Sequence, residues 1–176
     1  MSAAPTFEEA PETERGRMVY EALLAVHAHI RSGLASVERL AGADVHELSA
    51  DELDEELDTL KESSVFVRLH HRAEDASFFG ELEEANPAIA PVVERLRGEH
   101  QEVADHLDAV ERAARALTDD DSLDARRAVA HALEALERHL LAHLEYEERA
   151  VAATARRLQE FSDRRLAVVG SGQDRR

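Results

Sequence analysis

From Ile89 to Leu117 the apolar residues recur every three or four positions: Ile89, Val92 or Val93, Leu96, Val103, Leu107, Val110 and Leu117, with His100 standing among them. That spacing follows the 3.6-residue turn of an α-helix and gathers these side chains on one stripe. Three other segments keep the same period. Leu23, Ile30, Leu34 and Val37 mark a helix from about Glu14 to Gly42, and Leu53, Leu57, Leu60, Val67 and Phe78 mark one from Ser49 to Asn86. Leu133, Leu136, Leu140 and Val151 mark a last helix, expected to fade near Phe161. Ser49 with Glu52 three residues later forms a capping box, and Asn86-Pro87 supplies an N-cap and a first helical residue. Thr118 to Ser122 supplies the remaining turn. Four long amphipathic helices with short links predict an all-α fold, an antiparallel up-down four-helix bundle.

A chain of 176 residues suits one domain with a sizeable core. Scarce glycine and proline, few aromatics and no tryptophan agree with helices rather than sheets. The expected organisation is a flexible acidic tail over 1–13, the bundle over 14–161 and a C-terminal tail over 162–176. A formal charge of −17 argues against nucleic acid or an anionic membrane as partner. The absence of cysteine excludes disulfides, thiolate zinc sites and iron–sulfur ligands. The first twenty residues lack the basic-then-apolar pattern of a leader, and no stretch approaches a membrane span. A soluble cytoplasmic protein is therefore expected, with its oligomeric state left open.

Several histidines fall on the stripes. His27 follows Leu23 by four residues and precedes Ile30 by three; His100 sits between Leu96 and Val103; His143 sits between Leu140 and Glu147. His29 is turned about 200° from His27 and points elsewhere. Two of the helices carry a glutamate four residues after a histidine, His70 with Glu74 and His143 with Glu147. Four residues rise about 6 Å along a helix, so each imidazole shares a face with its carboxylate. Uncompensated charge on an apolar face is costly, and inward ligands from facing helices are how bundles hold metals. Imidazole and carboxylate without thiolate suit iron, manganese or zinc. Six protein ligands exceed what one open zinc takes and fit a dinuclear centre. Two six-coordinate metals offer about twelve positions, and four histidines, two bridging glutamates and an oxo or hydroxo bridge leave about two open. The competing reading is a metal-free bundle whose histidines are hydrogen-bonded core residues.

His27, His70-x-x-x-Glu74, His100 and His143-x-x-x-Glu147, in that order and one group per helix, resemble the hemerythrin-like, or HHE cation-binding, domain. The resemblance extends to His-His-x-x-Glu-Asp-x-x-Phe-Phe at 70–79, to Glu99-His100 and to Leu144-Glu145-Tyr146-Glu147-Glu148. It implies two iron ions that meet O₂, peroxide or nitric oxide, with His27, His70, Glu74, His100, His143 and Glu147 as ligands. Oxygen-carrying hemerythrins place a second histidine one turn after the third-helix ligand; here that position is Ala104. The implied centre is more open than a carrier's, which favours redox chemistry or sensing. Protection against oxidative or nitrosative stress is the expected purpose, with an external electron donor for sustained turnover and catalase-like peroxide breakdown among the activities. A sensor or binding module without turnover is the alternative.

Other positions stay open. His71 with Asp75 could replace His70 with Glu74, although Glu74 lies deeper in the stripe. His139 is a seventh ligand, a hydrogen-bonding neighbour of one, or a histidine at the bundle's end. Tyr20 reaches toward the site or packs in the core, and Phe78 and Phe79 exclude water or simply pack. His46, His106 and His131 lie off the stripes, as surface residues do.

Overall fold

A computed structural model describes residues 10–42, 49–119 and 122–159. Its elements are α1 (Glu14–Gly42), α2 (Ala50–Ala73), a π-helical turn (Glu74–Phe78), α3 (Phe79–Ala85), a 3₁₀ turn (Pro87–Ile89), α4 (Ala90–Asp119) and α5 (Leu123–Ala155). The π turn runs directly into α3, so the described residues form four long helical segments and no strand. No helix among them is long and apolar enough to cross a membrane. Five sequence expectations, concerning the side chains of Val37 and Leu53, His46, the Asp120-Asp121 turn and Phe161, lie outside the described residues, as do 1–9 and 162–176.

The local signals act as their chemistry dictates. Ser49 N donates to Glu52 Oε2 at 2.9 Å while Glu52 N donates to Ser49 Oγ at 3.3 Å, a reciprocal capping box. The Ser49 side-chain and backbone hydrogen bonds hold the Glu52 carboxyl below its ordinary range. Asn86 Oδ1 accepts from Ala88 N at 3.3 Å and Pro87 follows as the first helical residue, opening the 3₁₀ turn that leads into α4. Ser122 Oγ accepts from Ala125 N at the start of α5.

The described chain forms two compact units. The first takes residues 10–28, 69–98 and 144–159. Its core is Val19, Leu23, Phe78, Phe79, Leu82, Val93, Leu96, Val151 and Ala155, all fully buried. Thr13 caps α1 by accepting from Gly16 N at 2.8 Å. The same residue binds the far end of α5, donating from N to the Arg156 carbonyl at 2.9 Å and from Oγ1 to the Leu158 carbonyl at 2.6 Å. Arg157 Nε donates to the Ala10 carbonyl at 2.7 Å. These contacts end α5 at Ala155, before the expected Phe161, although neither glycine nor proline follows until Gly170.

The second unit takes residues 29–68 and 99–143. Ile30, Leu34, Leu60, Val67, Leu107, Val110, Leu133, Leu136 and Leu140 are buried in it. Arg68 spans from α2 to α4, donating to Asp108 at 2.6 Å and to Glu111 at 3.3 Å. Those acids are exposed enough for water to screen the pair, so it contributes little beside the aliphatic core.

Gly16 lets α1 pass close to the end of α5, because a Cβ there would collide with the Arg156 carbonyl. Gly16→Ala is expected to destabilise the protein by about 1–3 kcal/mol through overpacking against backbone that cannot rotate away. Denaturant unfolding measures this; an unchanged midpoint would contradict the close approach.

Candidate metal centre

Successive four-residue steps along the second helical segment set up the site. His70, Glu74, Phe78 and Leu82 are each four apart, and at about 100° per residue each step overshoots a full turn by about 40°. Over three steps a regular helix would carry Leu82 about 120° off the stripe. The π turn at Glu74–Phe78 takes up the excess, and Glu74, Phe78, Phe79 and Leu82 are all fully buried. Such turns interrupt helices mostly at functional positions. The sequence expectation of an uninterrupted α-helix from Ser49 to Asn86 is corrected here.

Within the first unit, His27, His70, Glu74 and Glu147 converge. Each offers a ligand atom, and these four atoms lie within 4.8 Å of one another. His27 Nε2 is 3.2 Å from His70 Nε2 and 3.3 Å from Glu147 Oε2, and His70 Nε2 is 3.3 Å from Glu74 Oε1. His27, Glu74 and Glu147 are 0% exposed. His71 is also buried, but its neighbour Asp75 is exposed, so the pair that turns inward in this unit is His70 with Glu74.

The electrostatics of the quartet are one-sided. Burial, then the charge and hydrogen bond of Glu147, then Asp75 push the Glu74 carboxyl well above its ordinary range. Burial alone would pull the His27 imidazole down, but hydrogen bonds and charge from Glu147 and Glu148 outweigh it and hold it above its usual value. Two carboxylates and two imidazoles in one dry spot can be kept charge-balanced by bound protons or by a cation. Two nitrogen and two oxygen donors without sulfur suit iron, manganese or zinc, so the residues present fit a transition-metal ion.

Two glutamates have roles that spacing alone did not reveal. Glu148 Oε1 lies 2.9 Å from His27 Nδ1, which leaves Nε2 facing the quartet. In the second unit Glu99 Oε2 lies 3.0 Å from His143 Nδ1 in the same arrangement. A carboxylate on the outer nitrogen fixes the tautomer and orientation of a metal-binding imidazole and raises its basicity. Both glutamates adjoin a stripe residue, Glu147 or His100, and the sequence marked them only as flanking residues of the family resemblance.

The remaining residues sort themselves. His100 and His143 are both buried in the second unit, their ring centroids 4.9 Å apart and edge to face. Tyr20 is a core tyrosine whose hydroxyl donates to the Glu148 carbonyl at 3.0 Å; burial leads the upward shift of its pKa. His139 stacks on His106 at 4.2 Å in the second unit. His106 is thus half-buried rather than a plain surface residue, and burial followed by His139 lowers its pKa. His29 is exposed, edge-on to Phe66, and His131 is exposed near Glu134. Ala104 is half-buried and has no donor atom.

The raised pKa values carry a sign. Glu74 and His27 both bind protons more tightly in the folded protein, so each favours folding fully below its unfolded pKa, and that contribution is lost as pH rises through the folded value. Metal-free protein is expected to lose stability as pH rises from the acidic range past neutrality. Glu74→Gln should melt higher than the parent at neutral pH without metal, by on the order of 1–3 kcal/mol, and should show a flatter pH dependence. Thermal melts across pH check this; a uniform loss of stability at every pH would contradict the burden placed on Glu74.

No curated protein and no solved structure matched the chain. The hemerythrin HHE cation binding domain family matched residues 18–161. That span contains the quartet, both glutamates on outer imidazole nitrogens, and His100 and His143. The chain belongs to the hemerythrin HHE cation-binding family.

Proposed function

We propose that the chain is a non-haem di-iron protein of oxidative or nitrosative stress defence, acting in the cytoplasm on O₂, hydrogen peroxide or nitric oxide. The observation that carries this reading is the buried convergence of His27, His70, Glu74 and Glu147. Family membership and the inward histidines add His100 and His143, giving six protein ligands for two bridged irons. The bundle would be antiparallel and up-down over 14–161, with residues 10–13 held against the end of α5 and not part of the free tail expected over 1–13. In the first unit, contacts from α1 support this: Thr13 meets Arg156 and Leu158, whereas Tyr20 and His27 meet Glu148.

Iron held there would supply a redox-active Lewis acid able to take a small diatomic or peroxide ligand. The chain's own groups do the rest. His27 and His70 present Nε2, and buried Glu74 and Glu147 supply negative charge that would offset a cation. Glu148 and Glu99 keep His27 and His143 in the tautomer that carries hydrogen on Nδ1. Tyr20 pins the α5 backbone at Glu148, while Phe78 and Phe79 close the first unit's core beside Glu74. With alanine at 104, no seventh protein ligand comes from that turn of α4, which leaves room for an exogenous one. Sustained reduction would draw on an external electron donor.

Anaerobic iron loading of purified protein tests the reading. Two irons per chain are expected, falling below one in His27→Ala and in Glu147→Ala; less than one in the parent would contradict it. Peroxide-decay and nitric-oxide-consumption assays then separate turnover from binding. Glu148→Gln is expected to weaken iron affinity about 10–100-fold in chelator competition. Unchanged affinity would remove Glu148 from the site.

A further inference from the structure

The six ligands of the di-iron reading are unevenly supplied. The first unit gives four, His27, His70, Glu74 and Glu147, and the second gives two, His100 and His143. The four converge within the first unit alone. One atom from each lies within 4.8 Å of the other three. His27 Nε2 meets His70 Nε2 at 3.2 Å and Glu147 Oε2 at 3.3 Å, and His70 Nε2 meets Glu74 Oε1 at 3.3 Å.

The two sets also differ in charge. Glu74 and Glu147 are fully buried, and together they bring the two negative charges that one divalent ion cancels. His100 and His143 bind a metal as neutral imidazoles, and the carboxylate beside His143, Glu99, sits on the outer Nδ1. Two nitrogen and two oxygen donors complete the tetrahedral shell that a closed zinc-type site uses. Two imidazoles complete no shell. An ion held by His100 and His143 must therefore share Glu74 or Glu147 with an ion whose charge those carboxylates already offset. Two cations that close repel, and the shared carboxylates cannot neutralise both in full.

We propose that the quartet is a complete mononuclear site, which takes the first divalent ion and is full before the second position takes any. The chain then has two metal states: a one-ion form closed by four protein ligands, and a two-ion form with room for an exogenous ligand. Metal supply thereby regulates how much of the protein can react. The inference rests on the di-iron reading for the second position only.

Cobalt(II) titration of the metal-free full chain tests this, because four-coordinate Co²⁺ absorbs visible light strongly whereas six-coordinate Co²⁺ on surface carboxylates is pale. The intense absorption should rise to a break at one equivalent per chain, and a second equivalent should bind at least about a hundredfold more weakly. His70→Gln should abolish the intense absorption. His143→Gln and His100→Gln should each keep the first break and lose the second step. Uptake of both equivalents by the parent in a single step would overturn the proposal. So would loss of the first break in both His100→Gln and His143→Gln, if the metal-free variants melt as the parent does. Iron stoichiometry separates this from the di-iron reading. Two irons per chain with single-step cobalt uptake would remove the stepwise order alone, and one iron per chain with the cobalt break intact would remove the second iron alone.

Discussion

Two glutamates buried where their charges repel are the constraint on which the rest of the first unit depends. Glu74 and Glu147 are both fully buried, and each faces an imidazole nitrogen at 3.3 Å. An isolated carboxylate does not remain ionised in such a place, so protons or a cation must reconcile them. The fold supplies the means to hold them there rather than a way to avoid the conflict. A π turn keeps Glu74 on the inner face, the Phe78–Phe79–Leu82 core locks that turn, and the Thr13–Arg156 contact ties the ends of α1 and α5. A protein with no use for a cation would be more stable with apolar residues at these positions.

Second neighbours sharpen this chemistry. His27 receives a carboxylate on each side, Glu147 toward the quartet and Glu148 on the outer nitrogen. His143 receives Glu99 on its Nδ1. The repeated arrangement sets which nitrogen is available as a donor, and that choice is required of any imidazole that binds a metal. Tyr20 joins the same framework through the Glu148 carbonyl, so a tyrosine on the stripe acts on backbone position rather than on the quartet itself.

Much of the helical architecture was legible because its determinants are local. The Ser49–Glu52 box and the Asn86 cap act within three residues, and the stripes from Leu23 to Leu34 and from Ile89 to Leu117 have one period throughout. The end of α5 was not legible. Leu158 and Phe161 continue the helical pattern, and the stop comes from Ala10 and Thr13, about 145 positions away in the chain. The π turn was half-legible, since four-residue steps from His70 to Leu82 drift off one face, but the drift alone does not say where it is absorbed. His27, His70, Glu74 and Glu147 were visible as stripe residues. Glu148 and Glu99 were visible only as residues flanking the family resemblance, with no role assigned, because a glutamate beside a stripe on an acidic chain reads as ordinary solvated surface.

The surface charge makes the central test a question of where iron binds. Acidic side chains can take up iron through oxygen alone, whereas the quartet offers imidazole nitrogen. X-ray absorption at the iron edge of the loaded protein distinguishes the two. The account predicts a mixed nitrogen and oxygen shell with imidazole scattering and a neighbouring iron, the imidazole contribution reduced in His27→Ala. An oxygen-only shell without imidazole scattering, unchanged by that substitution, would contradict it.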